Sequence, residues 1–267
     1  MPNGSHYASE LAFALDVAEQ ADRISAGYFR STDLRVDRKA DASPVSEADR
    51  AIEQLIRSRI AEAYPADAVL GEEYGASQTG ARRRWIVDPI DGTRKFVRGL
   101  PGFATLLALE DGGETVVGVA SAPALHRRWW AARGQGAYAD GLSIRVSQRA
   151  ELANAHVAHG SLEGWVKAGR LAGLAALAVR SWGTSGYADF WIHMLVAEGA
   201  AEAAVEIQAE VWDVAALALI VEEAGGRFTD VDGVRTTAGG SGVSTNGLVH
   251  DEVVRTLRRP PAVETAR

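Results

Sequence analysis

The sequence predicts an α/β fold, and three observations carry that prediction. Helical periodicity opens the chain, with apolar residues at Leu11, Leu15, Ala18 and Ile24 to Phe29 and acids between them. A short apolar strand, Trp85-Ile86-Val87, runs into a corner of acids, proline and glycine. Past Ala150, strand-like and helix-like segments alternate.

Taken in order, Ala8 to Phe29 reads as an amphipathic helix, and Arg30 to Pro44 as a polar loop or hairpin. Ser46 is placed to cap a second helix, which carries Ile52, Leu55, Ile56 and Ile60 on one face and ends at Tyr64-Pro65. Ala68-Val69-Leu70 is a short strand leading into Gly71-Glu72-Glu73, and Arg82 to Arg84 read as a solvated approach to the central strand. That strand is expected to end at Asp88, because Pro89 cannot donate to a sheet. Gly92 permits a tight turn, and Thr93 is placed to cap a following helix. Phe103 to Glu110 and Thr115 to Ala120 form a hairpin across Asp111-Gly112-Gly113. Arg128 to Ala132, Ala137 to Ala139 and Ser143 to Val146 read as further strands, with Gly134-Gln135-Gly136 a tight turn between two of them.

In the second half, strands are expected at His156 to His159, Ala178 to Trp182, Ala203 to Ile207, Arg227 to Thr229 and Val243 to Thr245. Helices are expected at Leu162 to Leu177, Tyr187 to Glu198, Trp212 to Ala224 and Leu248 to Leu257. Gly239 to Gly242 reads as a plain turn, and the tail from Arg259-Pro260-Pro261 as disordered.

Composition narrows function. The 267 residues suffice for one large domain or two small ones. A net charge of -7 argues against a nucleic-acid partner and against an anionic membrane surface. There is no cysteine, which excludes disulfides, thiolate nucleophiles and Cys-zinc sites. Met1 to Glu10 shows neither a basic start nor an apolar run, and no stretch reaches the ~18 apolar residues of a membrane span. A cytoplasmic location is the expectation.

Four acidic spots share a design, an acid at the end of an apolar strand or the start of a helix: Asp49, Glu72, the Asp88/Asp91 pair and Asp213. Each alone has an ordinary reading. Asp88 and Asp91 suit a turn, and Asp213 suits the first turn of a helix, where the dipole is worth ~0.3–1 kcal/mol. Together they point to hard-cation chemistry. Oxygen-only ligands suit Mg²⁺ or Mn²⁺, and the six scattered histidines form no zinc motif. Two carboxylates about 4 Å apart repel by about 4 kcal/mol at an effective dielectric of about 20. Bound cations remove that cost and attract a phosphate dianion. Two metals ~3.5–4 Å apart can hold a phosphoryl group and activate a water. No Walker loop and no G-x-S-x-G elbow offers another route, so metal-activated water is the expected nucleophile.

These same segments resemble the signatures of the inositol monophosphatase family. Gly71-Glu72-Glu73, Asp88-Pro89-Ile90-Asp91-Gly92-Thr93, and Trp212-Asp213-Val214-Ala215-Ala216 with Glu223-Ala224-Gly225-Gly226 occur in its order, and Ser46-Glu47-Ala48-Asp49 is similar to its (T/S)-x-x-D motif. The resemblance covers nearly the whole chain. It implies a layered αβαβα sandwich of the inositol monophosphatase and fructose-1,6-bisphosphatase type. It also implies Mg²⁺-dependent phosphomonoesterase activity, with two or three ions per subunit and Mn²⁺ as a possible substitute. A lithium-sensitive homodimer acting on a small phosphorylated metabolite is implied as well.

Carried over by position, Glu72, Asp88 and the Ile90 carbonyl would hold the first ion, and Asp88, Asp91 and Asp213 the second. Glu72 would reach a looser third ion through water. Thr93 and Asp49 would orient and deprotonate the attacking water, while the Gly92 and Thr93 N–H groups face the phosphate. Substrate contacts are implied from Asp91, Gly92, Thr93, Ser185, Asp189, Glu206 and Asp213. The expected division gives residues 1–150 as an α+β part with most metal ligands. Residues 151–267 then form an α/β part that supplies the last ligand and substrate contacts.

Within the family, Arg94-Lys95-Phe96-Val97-Arg98-Gly99, Arg128-Trp129-Trp130-Ala131-Ala132-Arg133-Gly134, and Tyr187-Ala188-Asp189-Phe190 with Leu195-Val196-Ala197-Glu198-Gly199 resemble the histidinol-phosphate phosphatase branch. That branch implies release of L-histidinol from L-histidinol phosphate in histidine biosynthesis. An ammonium and an imidazole call for acids in the pocket, and Asp189 and Glu206 are available. The alternatives are an inositol-1-monophosphatase, a broad sugar-phosphate phosphatase, or a non-catalytic regulator that binds phosphorylated ligands. A regulator would be expected to lack a metal ligand or Thr93, and none is missing. Arg94 and Lys95 depart from the small polar and Asn pair common after the core motif.

Overall fold

Apolar residues at helical spacing build α1 (Ala8–Tyr28), which buries Ala14, Val17, Ala18 and Ala21. The polar stretch that follows is a hairpin, β1 (Val36–Arg38) against β2 (Pro44–Ser46). Ser46 then caps α2 (Glu47–Ala63). Its hydroxyl accepts the N–H groups of Ala48 and Asp49, and Asp49 Oδ2 accepts the Ser46 N–H at 2.8 Å. This reciprocal box fixes the start of α2 and buries Asp49 with it. The structure is a computed structural model, and it describes residues 7–39, 43–78, 80–187 and 189–258.

Next come β3 (Ala68–Gly71), β4 (Gly75–Ala76), β5 (Arg83–Asp91), the short helix α3 (Thr93–Val97), β6 (Ala104–Asp111) and β7 (Glu114–Ala122). After them lie β8 (Arg127–Ala132), β9 (Ala137–Ala139) and β10 (Leu142–Ile144). They form an eight-stranded sheet in the order β10-β9-β8-β7-β6-β5-β3-β4, antiparallel except where β3 runs parallel to β5. The second half contributes β11 (His156–His159), α4 (Leu162–Lys167), α5 (Leu171–Arg180), β12 (Gly183–Gly186) and α6 (Phe190–Ala197). It continues with β13 (Ala203–Glu206), α7 (Val211–Glu223), β14 (Arg227–Thr229), β15 (Gly242–Thr245) and α8 (His250–Arg258). Its five-stranded sheet has the order β12-β11-β13-β15-β14.

Strand alternation sorts these elements into layers. On one face of the first sheet, Trp85, Val87, Leu107 and Val119 pack on α1 and α2. On the other face, Ile86, Leu106 and Ala120 pack on α6 and α7, which also touch Ala158 and Ala204 of the second sheet. The far face of that sheet, with Val157, Val205 and Val243, carries Trp165, Leu177 and Leu257 from α4, α5 and α8. The result is the expected αβαβα sandwich. Its middle helix α7 is buried continuously from Val214 to Val221, as a helix between two sheets must be. It lies so close on β7 that a Cβ at Gly118 would fall 2.7 Å from the Ala216 carbonyl oxygen.

Several expectations are corrected. The central strand does not end at Asp88. It continues through Pro89 to Asp91, because a bulge on β5 sets three residue steps against two on β6. Pro89 needs no N–H there, and its carbonyl accepts Thr105 Oγ1 at 2.8 Å. Thr93 does not cap α3. Gly92 does so at φ 86, and Thr93 is the first helical residue. Arg83 and Arg84 belong to β5 and are ion-paired, Arg83 to Glu10 and Asp67 and Arg84 to Glu110, so they are no solvated approach.

The helix expected over Leu162 to Leu177 breaks at Gly169, and Ala178 to Arg180 complete α5. The edge strand starts only at Gly183, where β11 offers parallel partners. The helix expected from Tyr187 starts at Phe190. The tail from Arg259 lies outside the described residues, as do residues 1–6 of the opening segment. Among the described residues, no helix is long and apolar enough to cross a membrane.

Candidate active site

Two backbone features bring the acids together. The β5 bulge turns Asp88 and Asp91 to one side of the sheet, and α7 delivers Asp213 in its first turn. One carboxylate oxygen from each lies within 4.8 Å of the others. Asp88 is 1 % exposed and Asp91 7 %. Asp91 Oδ2 accepts the Phe190 N–H at 2.6 Å, and Asp213 Oδ2 accepts the Glu210 N–H at 2.7 Å. Asp88 Oδ1 is buried without a hydrogen-bond partner, a state that costs about 1–3 kcal/mol or more for a charged group.

All three carboxyls are driven well above the usual carboxylate range. For Asp88 the largest cause is burial, followed by the charges of Glu72, Asp91 and Asp213. For Asp91 it is burial, then the charges of Asp189, Asp213 and Glu206, opposed by the Phe190 N–H. For Asp213 it is burial, then Glu206, opposed by the Glu210 N–H. The cluster therefore has one missing component, positive charge. Oxygen donors alone, an orphaned buried carboxylate oxygen and mutual repulsion fit a hard divalent cation.

Glu72 leaves the end of β3 and presses its charge on Asp88, Asp49 and Asp213. Its carboxylate is held by Lys39 Nζ at 2.6 Å, and the same ammonium meets Glu73 at 2.7 Å. Burial, reinforced by Glu72 and Asp49, pushes the Glu73 carboxyl up to about 7 against the pull of Lys39. Asp49 faces the cluster from α2. Burial raises its carboxyl, opposed by the bonds from Ser46 and Thr93. Thr93 Oγ1 stands 3.2 Å from Asp49 Oδ1 and 3.0 Å from the Ile90 carbonyl oxygen. A hydroxyl has one proton to donate, so it serves one acceptor at a time.

Gly92 adjoins this corner under tight constraint. A Cβ there would lie 2.8 Å from the Gly102 carbonyl oxygen and 2.9 Å from Asp189 Oδ2. Asp189 adopts φ 57, uncommon for a residue with a side chain, and its carboxylate is tied to Lys95. Lys95 also donates to the Tyr187 carbonyl at 2.7 Å. Glu206, at the end of β13, faces Asp91 and Asp213 and lies 3.4 Å from His193 Nε2.

The structure thus gathers Asp49, Glu72, Asp88, Ile90, Asp91, Gly92, Thr93, Asp189, Glu206 and Asp213 around one site. Ser185 lies on edge strand β12 in register with Ala158 of β11, whose other neighbour is Ala204 of β13. Lys95 is marked in the sequence only as a departure from the family's pattern, and Lys39 and His193 are not marked at all. Their signal was lost because a lysine in a polar stretch and a histidine in an apolar helix look ordinary.

The model of the inositol monophosphatase family matches residues 7–260. The chain belongs to the inositol monophosphatase family. A histidinol-phosphatase from Mycobacterium tuberculosis is 50% identical over 253 residues, 93% of this chain and 97% of that one. A protein of the same name from Streptomyces coelicolor is 45% identical over 262 residues, covering 95% and 98%. Among solved structures, the extragenic suppressor protein SuhB of Bartonella henselae matches with a TM-score of 0.88 at 30% identity, over 95% of this chain and 100% of that one. The Thermotoga maritima IMPase matches with a TM-score of 0.85 at 32% identity, over 94% and 97%. As a member of the inositol monophosphatase family, this protein is a metal-dependent phosphatase of a phosphorylated small molecule.

Proposed function

We propose that this phosphatase removes phosphate from L-histidinol phosphate, with Mg²⁺ as its metal, and serves histidine biosynthesis. The observation that carries the choice of substrate is the pair of acids, Asp189 and Glu206, facing the metal-binding corner from the second half of the chain. A substrate with an ammonium and an imidazole suits that wall. The names of the relatives at 50% and 45% identity support the same reading.

In this reading Glu72, Asp88, the Ile90 carbonyl, Asp91 and Asp213 hold two or three Mg²⁺ ions, with Mn²⁺ as a substitute. Bound there, the ions supply charge neutralisation for the phosphoryl group and acidify a water. The chain's own residues do the rest. Thr93 takes a proton from the attacking water as it gives its own to Asp49, whose burial-raised carboxyl suits a proton acceptor. Gly92 and Thr93 N–H groups face the phosphate. Asp189 and Glu206 hold the organic half, with Ser185 as a further substrate contact. We infer further that the chain works as a cytoplasmic homodimer without nucleic-acid or membrane partners. The division near residue 150 separates a part with most metal ligands from one that adds Asp213 and the organic-side acids.

Phosphate release is to be compared across histidinol phosphate, inositol 1-phosphate, fructose 1,6-bisphosphate and 3′-phosphoadenosine phosphate, each with Mg²⁺. The highest kcat/KM is expected for histidinol phosphate. Equal or faster turnover of inositol 1-phosphate would replace this substrate with the broader one, which the likeness to the Thermotoga IMPase favours.

A further inference from the structure

Behind the acids lies a buried carboxylate that the hydrolysis does not use. Glu53 belongs to α2, and its side chain is closed to solvent. Helical spacing puts Asp49, Glu53 and Arg57 in one row, each four residues from the next. Glu53 Oε2 accepts the Glu73 N–H at 2.7 Å, and Oε1 accepts the Tyr74 N–H at 3.2 Å. Arg57 Nε donates to Oε1 at 2.8 Å, and its guanidinium reaches on to the Gly75 carbonyl. The turn between β3 and β4 is therefore tied to α2 through its main chain. On the opposite side, the Glu72 N–H donates to the Val87 carbonyl of β5 at 3.2 Å. Gly71 fits only because it has no side chain, since a Cβ there would lie 2.0 Å from Glu53 Oε1.

These contacts bracket one residue, Glu72. β5 fixes its own N–H, and Glu53 fixes the two N–H groups that follow. We propose that Glu53 is a positioning residue for the divalent-cation site: it sets the β3–β4 turn so that the Glu72 carboxylate faces Asp88 and Asp49 before any ion arrives. The inference rests on the metal-dependent reading of the site. Because α2 carries both Asp49 and Glu53, one rigid rod sets the spacing between the proton acceptor and the Glu72 ligand. A turn left loose would have to be ordered by the ion itself, and affinity would fall accordingly.

Binding of Mg²⁺ and Mn²⁺ to the full-length chain, followed by calorimetry beside the metal-free Tm, tests this. Glu53→Gln keeps the shape but turns one acceptor oxygen into a donor. It is expected to weaken metal binding by about ten- to a hundredfold, the usual effect of losing a partner that orients a ligand. Gly71→Ala pushes the same carboxylate from the other side and is expected to weaken binding comparably. In Glu53→Ala/Gly71→Ala the added methyl enters vacated space, so the double variant should bind metal no worse than Glu53→Ala alone. Affinity within about twofold of wild type in a folded Glu53→Gln or Gly71→Ala variant overturns the proposal. A lowered Tm with unchanged affinity does the same, reducing Glu53 to a structural ion pair.

Where the variants do not fold, amide exchange on the metal-free wild-type chain decides. Slow exchange at Glu73 and Tyr74 supports the proposal, and exchange at free-chain rates sinks it. A wild-type chain that binds neither ion overturns the reading of the site itself, and this inference with it.

Discussion

Two sets of carboxylates share this site and are kept in different ways. Asp91 and Asp213 receive one main-chain N–H each, Asp88 Oδ1 receives nothing, and among the described residues none of the three is ion-paired. Asp189 has Lys95 on its carboxylate, and Glu206 has His193 beside it. Glu72 falls between the two cases, with Lys39 against it. Crowding of acids is common to all of them. What separates a cation site from a polar pocket wall is whether the protein brings a donor of its own.

Substitutions can break that comparison. Asp91→Asn removes a proposed shared ligand from the uncompensated set. Activity should fall by about a thousandfold or more, the scale of several kcal/mol of metal-derived stabilisation. The rise in Tm on adding Mg²⁺ should vanish with it. Retention of both would show that the trio holds no ion.

Thr93→Ala leaves every carboxylate in place. It should lower kcat by about a hundredfold or more while metal affinity changes little. An unchanged kcat would take Thr93 out of the chemistry. Asp189→Asn acts on the compensated set instead. KM for histidinol phosphate should rise about tenfold, worth ~1.4 kcal/mol, with little change for inositol 1-phosphate. Equal effects on both esters would mean that Asp189 does not read the organic half.

The smallest effect is on stability in the absence of metal. Burial and neighbouring charge raise Asp88 above its ordinary 3.8, so the folded state binds its proton more tightly than the unfolded state does. Its favourable contribution is complete below that ordinary value and is lost as pH rises towards the folded value. In EDTA, the Tm of Asp88→Asn relative to wild type should therefore climb as pH is raised from 4 to 7. A difference independent of pH would show that Asp88 is not strained in the metal-free protein.

The first set was legible in the sequence because its acids sit where periodic patterns stop. Asp213 opens an apolar helix, and Asp88 follows an apolar run. The bulge was not legible. Pro89 reads locally as a strand breaker, and only the pairing with β6 shows that the strand absorbs it. Thr93 looks locally like a cap because nothing near it says that Gly92 takes that place at positive φ. The second set was legible only as residues. Lys95, His193 and Lys39 pair with acids 94, 13 and 33 positions away, and no short-range pattern encodes such partners.

The burial of α7 between the sheets has a consequence for how the protein is made. A ribosome that has delivered the first 200 residues has already made Glu72, Asp88 and Asp91, but no Asp213. That last carboxylate reaches its companions only once its helix emerges and is gripped from both sides. The nascent chain thus cannot assemble the acid trio before α7 has been made.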